Sequence, residues 1–520
     1  MTRPSSRFFY GCARCAIFAF TLAITGCSGP TATFGNGGGP PPPGNPVGSN
    51  LTLISSDTFT VAPGQHATEV ELHLLANGST LVAAFQTGRI VPGGSTDIGW
   101  ATSTDAGMTW KQGFLPGLTK GEGTGIYDAA SDPAVAYDAK HNVWMIASLP
   151  LSSTLQVPAV VVSRSTDGGL TWGSPVSVDP SAPSSDKNWI VCDSWAASPH
   201  YGNCYMEWDD PSNLDEIVMS TSTDGGLTWG PPLLTPSVAQ GIGGQPIVQP
   251  NGNVVVPIEV FGAQNTLMSA FVSTDGGASW SDPVTIAVIQ FHTDAGGIRS
   301  GPLPSAAVDG AGKVWTVWQD CRFRTACSTN DLVYSTSTDG VTWTTVTRIP
   351  IDATTSTADY FIPGIGIDPT TSGAAAHVAL HYYYYSNTNC VVTTCQLFVG
   401  YISSANGGST WNAPTTLTAA PMQLGWLPNS QNGLMVGDYI ATAFTTGVPH
   451  GVPHGVFAVA QANSGSTFAE AMYTAQGLMV TASGQQFSSA HDKPLHHLSD
   501  KVEREVPEKG VPPQRRRARK

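Results

Sequence analysis

The chain has 520 residues, 41% of them hydrophobic and only 12% charged, with 57 glycines, 39 prolines and a formal net charge of −14. The apolar fraction supports a real core and sets aside a disordered chain, while the glycine and proline content describes a turn-rich, all-β body. The acidic surplus excludes nucleic acid as a partner, because a phosphate backbone is repelled at long range.

Arg3, Arg7 and Arg14 accompany an apolar stretch from Cys15 to Ala23 and the small-residue run Ile24-Thr25-Gly26-Cys27, the layout of an export signal over residues 1–26. Ile-Thr-Gly-Cys resembles the bacterial lipobox. That likeness implies cleavage before Cys27, a lipid on its sulfur, and contact with a membrane only through that anchor. Residues 27–50, rich in glycine and proline, read as a tether. No later segment carries about 20 uninterrupted apolar residues.

Within residues 51–485 one motif recurs. Ser-x-Asp-x-Gly-x-Ser/Thr-Trp occurs as STDAGMTW from Ser103, STDGGLTW from Ser165 and again from Ser222, and STDGGASW from Ser273. A shortened STDGVTW starts at Ser337, and SANGGSTW at Ser404 has asparagine in the acidic place. The six key positions, Asp105, Asp167, Asp224, Asp275, Asp339 and Asn406, lie 62, 57, 51, 64 and 67 residues apart. A period near 60 fits one four-stranded antiparallel sheet per repeat. The acidic side chain is expected to close a turn on backbone N–H groups two residues on, the glycines to supply positive φ, and the tryptophan to anchor the hairpin. Between the motifs, six cysteines fall in close pairs, Cys192 with Cys204, Cys321 with Cys327, and Cys390 with Cys395. Fifteen connectivities are open to them, and the local spacing favours the sequential one, each bridge pinning a loop or hairpin in an oxidising compartment. None shows the Cys-x2-Cys spacing of a zinc site.

These strings resemble the Asp-box, or BNR, repeats of the sialidase superfamily, over roughly residues 51–485. The resemblance implies a six-bladed β-propeller whose last blade joins both chain ends, so that residues 51–61 pair with a segment near 455–482. The boxes lie on outer hairpins in that fold, so function rests on the inner-strand openings: Ser131-Asp132-Pro133, Asp186-Lys187-Asn188-Trp189, Gly244-Gln245-Pro246, Gly301-Pro302-Leu303-Pro304, Asp359-Tyr360-Phe361 and Gly437-Asp438-Tyr439. A sialidase clamps its substrate carboxylate with arginines and uses a tyrosine nucleophile. By placement, Tyr439 resembles the nucleophile, Arg322 a triad arginine and Arg89 the arginine beside the acid/base loop, with Asp97 its nearest carboxylate. Arg299 and Arg324 complete the only local basic cluster. Asp132, Asp186, Trp189, Gln245, Asp359, Tyr360 and Asp438 are the expected substrate-binding residues. The chain departs from the family where Thr68-Glu69-Val70 replaces Arg-Ile-Pro, and where no glutamate stands near Pro304-Ser305-Ala306.

Residues 28–491 hold 11 basic and 32 acidic residues, so an anionic ligand needs a local cluster of arginines. Trp208-Asp209-Asp210 with Asp215-Glu216 could offer oxygens to Ca²⁺, but the spacing is not that of an EF-hand and a solvated acidic loop explains it as well. His450 and His454 fall in a duplicated Val-Pro-His-Gly. Tyr382 to Tyr385 suit either sugar stacking or a strand packed on both faces. No cofactor or metal is expected. Residues 486–520 read as a disordered charged tail. Two functions stay open for a monomeric, exported envelope protein: a sialidase-type glycoside hydrolase, or a non-catalytic propeller binding glycan or protein.

Overall fold

Short runs such as Val160–Ser165 and Glu216–Ser222 carry β-branched and other apolar residues into small polar ones, and both form strands whose residues are buried or nearly so. The computed structural model describes residues 44–180, 184–447 and 451–481. The export signal, Cys27, most of the tether, His450 and the charged tail lie outside the described residues.

The unit of the fold is four antiparallel strands linked by hairpins. The first set comprises Gln65–Asn77, Thr80–Arg89, Ser95–Ser103 and Lys111–Phe114. Further sets open on Ala129–Asp138, Asp186–Cys192, Ile247–Val248, Ser305–Val308 and Asp359–Ile367. Ala441–Thr445, Val452–Ala460 and Glu470–Ala475 form three strands of another, whose fourth is Leu51–Leu53 from the opposite end of the chain, with Leu51 facing Ala475. The opening strands pack each on the next, and Ala441–Thr445 packs on Gln65–Asn77. The described residues therefore form a closed ring of seven sheets.

Seven sheets correct the expected six. Each box occupies the turn between the third and fourth strand of one set. In the set completed by Leu51–Leu53 no such turn exists, because its outer strand arrives from elsewhere in the sequence. Six boxes and seven sheets are thus the same arrangement.

The box itself works across sheets. Asp167 accepts from Thr171 N at 2.9 Å and Thr171 Oγ1 at 2.6 Å, while Ser165 Oγ accepts from Gly169 N at 2.9 Å. The bond spans four residues rather than the two expected of a simple Asx turn, and Asp105, Asp224, Asp275 and Asn406 repeat it. In the shortened copy Asp339 reaches Val341 N at 2.8 Å and Thr342 N at 2.6 Å. The last glycine of each box lies on the preceding sheet, and that of the first box lies on His454 of the seventh, which closes the ring. At Gly340, φ is +73°, and an added methyl would stand 2.6 Å from Val272 Cγ1 and 2.8 Å from Val255 Cγ2. Gly340→Ala is expected to lose about 2–4 kcal/mol in chemical denaturation, from left-handed backbone strain together with overpacking.

The three disulfides join the cysteines in sequential order. Cys192–Cys204 links directly paired positions of two neighbouring strands, and the other two close short loops. No described helix is long and apolar enough to cross a membrane.

Candidate functional site

Four opening strands share an irregularity near their starts. A β-bulge falls between Val70 and Leu72, Ser131 and Ala134, Asp186 and Trp189, and Phe361 and Gly364. At each one a non-glycine residue takes positive φ: Glu71 at 52°, Asp132 at 50°, Lys187 at 48° and Ile362 at 49°. Left-handed backbone at such residues costs about 1–3 kcal/mol apiece, and a bulge re-aims the side chain that carries it.

Three of these residues meet. Lys187 Nζ lies 3.2 Å from Glu71 Oε1 and is paired with Asp438, while Lys187 N donates to Asp132 Oδ2 at 3.0 Å. Arg299 grips Asp438 with two bonds, Nε to Oδ1 being 2.6 Å. Gln86 Nε2 bridges Glu71 and Ser131 Oγ, and Ser131 Oγ donates to Asp132 Oδ1 at 2.8 Å. Gly437 makes room for the approach, since a methyl there would meet Glu71 Cα at 2.7 Å. Beyond this cluster the ring encloses a cavity of about 300 Å³, lined from all seven opening strands, among them by His73, Trp189, Ile247, Ile365 and Phe444.

Burial splits the carboxyl groups. Burial pushes Glu71 up to about 8 despite Lys187, so it is largely protonated at neutral pH. At Asp132 burial is outweighed by Lys187 and the Ser131 hydroxyl, which hold it below its ordinary range. At Asp438 burial is outweighed still further by Arg299 and Lys187. Lys187 stays well above the usual lysine range because three carboxylates overcome its own burial. Burial, and then Glu71 and Asp132, push the Tyr439 phenol well up, and its hydroxyl donates to Pro133 O at 3.2 Å. A neutral acid beside an ionised carboxylate can donate and accept a proton in one site.

No protein-family model matches the chain. Over 100 residues it is 32% identical to a sialidase of Bacteroides fragilis, a match spanning 16% of this chain and 18% of the length of that relative. Solved structures similar to this chain include a protein of unknown function from Dyadobacter fermentans, at 15% identity over 69% of this chain and 100% of that one, TM-score 0.44. A NanB sialidase from Streptococcus pneumoniae follows at 13% identity, 82% and 70% coverage and TM-score 0.38, and an ulvan lyase at 11%, 82% and 96%, TM-score 0.45. At these values no residue role passes from them to this chain.

The structure brings Asp132, Arg299, Asp438, Tyr439 and Trp189 together, with the Trp189 ring edge-on to Tyr439 at 5.0 Å. It holds the other expected arginines elsewhere. Arg89 spends its guanidinium on Ile90 O and Gly94 O beside Met435. Arg322 pairs with Asp320 at 2.7 Å and bonds Val288 O, and Arg324 pairs with Asp331 and Asp352. Asp97, which accepts from Ile98 N, is buried apart from the cluster, and burial pushes its carboxyl well up. Asp186 Oδ1 accepts from Lys187 N at the rim of the site, Gln245 ties two sheets through Ala306 N at 3.0 Å, and Tyr360 donates to Asp352. Asp359 belongs to a separate group with His292 and Asp294. Tyr382, Tyr383 and Tyr385 are core, as a strand packed on both faces requires. Glu71 and Lys187 are the site residues that the sequence does not single out. Only the bulge turns them inward, and a bulge has no residue signature that period-2 alternation reveals.

Proposed function

We propose that this is an exported, envelope-tethered β-propeller of seven blades that hydrolyses glycan, with Glu71 as proton donor and Asp132 as the companion carboxylate. The observation that supports this reading is the set of three strained, ionisable residues from successive sheets bonded into one buried cluster. Strain and buried charge both weaken a fold, and a binding or catalytic role is the reason to retain them. Lys187 and Arg299 are neutralised within the protein by Asp438 and Asp132 together, so the sugar favoured is neutral rather than one bearing a carboxylate. Tyr439, a high-pKa phenol bonded to a carbonyl, positions Trp189 instead of acting as nucleophile.

The test is a panel of fluorogenic glycosides, neutral ones and a sialoside, with wild type, Glu71→Gln and Tyr439→Phe. Turnover of a neutral glycoside is expected, with Glu71→Gln reducing kcat by about 10²-fold or more while the protein keeps its unfolding temperature, because glutamine copies the neutral acid. Sialoside turnover abolished by Tyr439→Phe would restore the tyrosine mechanism in place of this one. A folded protein silent across the panel would leave a glycan-binding propeller, tested next on glycan arrays.

A further inference from the structure

A second group of titratable side chains stands apart from the carboxylates bonded to Lys187. His292 and Asp294 lie in the segment between Val284–Val288 and Ser305–Val308, and Asp359 opens the strand Asp359–Ile367. One ligand atom from each lies within 4.8 Å of the others. Both carboxylates are buried, Asp294 to 5% exposure and Asp359 to 0%. His292 Nδ1 is 3.1 Å from Asp359 Oδ2, yet it is buried with no hydrogen-bond partner, since the two atoms are close without being aligned. Two ligands of one ion at about 2.1 Å stand roughly 3–3.5 Å apart and point at the ion, not at each other.

The surroundings fit the same reading. Asn330 holds all three residues, its side chain donating to Asp294 Oδ1 at 3.1 Å and His292 O at 2.7 Å and its backbone N to Asp359 Oδ1 at 2.6 Å. Gln319 Nε2 reaches Asp294 Oδ2 at 3.2 Å, Ser300 donates to the same oxygen, and Thr388 Oγ1 donates to Asp359 Oδ2 at 3.0 Å. Donors of this kind orient metal-binding carboxylates by one lone pair and leave the other for the ion.

We propose that His292 Nδ1, Asp294 and Asp359 bind one divalent cation of borderline type, Zn²⁺ or Mn²⁺. An imidazole with two carboxylates selects such an ion over Ca²⁺, which prefers oxygen alone. The ion ties two neighbouring sheets and anchors the segment that carries Arg299, a role independent of whether the central cluster is catalytic.

The test uses the purified full-length chain, stripped with chelator and then given Zn²⁺, Mn²⁺ or Ca²⁺. The expected result is one ion per chain by elemental analysis and an unfolding temperature raised by several degrees with Zn²⁺ or Mn²⁺. In His292→Gln and Asp294→Asn the rise should disappear. If Asp294→Asn does not fold, His292→Gln carries the test, because that ring is a quarter exposed. No rise with any ion, an equal rise in both variants, or a rise with Ca²⁺ alone would each overturn the assignment.

Discussion

Replacing Lys187 by methionine is expected to destabilise the protein by about 3–5 kcal/mol, the cost of removing one partner from a buried ion cluster. At neutral pH the cluster balances, with Lys187 and Arg299 positive, Asp132 and Asp438 negative, and Glu71 mostly neutral. Lys187→Met leaves a net charge of −1 in a site where each member is less than a tenth exposed. Asp438→Asn leaves +1 and sets Lys187 against Arg299 without the carboxylate between them. The double variant returns to zero. Its loss should therefore fall short of the sum of the single losses by about 1–3 kcal/mol, a coupling that a double-mutant cycle in urea reads directly. Simple addition would mean that the residues are independent and that the cluster is not one electrostatic unit.

The route from sequence to fold was open wherever side-chain chemistry decides local geometry. The boxes could be read as turns because serine, aspartate, glycine and threonine at those spacings satisfy one another's bonds, as Ser165, Asp167, Gly169 and Thr171 do. The pairing of Leu51–Leu53 with Glu470–Ala475 follows from the need to leave no free edge. The number of sheets was harder, since counting boxes counts turns, and the seventh sheet has none to count. Its opening strand was nonetheless legible in Gly437-Asp438-Tyr439, beside five other openings. In the site, Asp438 and Asp132 stood out as polar residues where strands begin. Arg322 and Arg324 did not belong there, because a charged residue in sequence does not disclose which of several nearby carboxylates it meets, and Asp320, Asp331 and Asp352 are closer partners. Glu69 shows the same limit from the other side. Its neighbour Glu71 enters the site, while Glu69 turns into the seam with the seventh sheet, because the bulge lies immediately after it.

That seam should make the protein more stable near pH 5–6 than near pH 9. Glu69 and Glu470 are both buried where Thr68 bridges to Glu470, and Ser55 donates to Glu69 Oε2 at 2.6 Å. Burial, opposed by Ser55 and reinforced by Asp57, pushes Glu69 up to about 8; burial and then Glu69 push Glu470 well above its ordinary value. A carboxyl whose pKa is raised on folding holds its proton more tightly when folded. Its stabilisation is complete below the unfolded pKa of about 4.3 and is lost as pH rises from there through the folded value, at up to about 1.4 kcal/mol per pH unit for each group. Glu71 titrates with the same sign. The boxes oppose it only in acid, because Asp105, Asp167 and Asp339 are held down to about 2 and their contribution fades as pH falls from about 4 towards that value. Between these windows lies the maximum. Glu69→Gln/Glu470→Gln removes both seam titrations, so denaturation midpoints measured from pH 5 to 9 should fall steeply for wild type and less steeply for the double variant, with the larger difference at pH 9. Parallel curves would show that the seam carboxyls ionise without cost and that water reaches them, which would place the weak point of the ring somewhere other than the junction of its two chain ends.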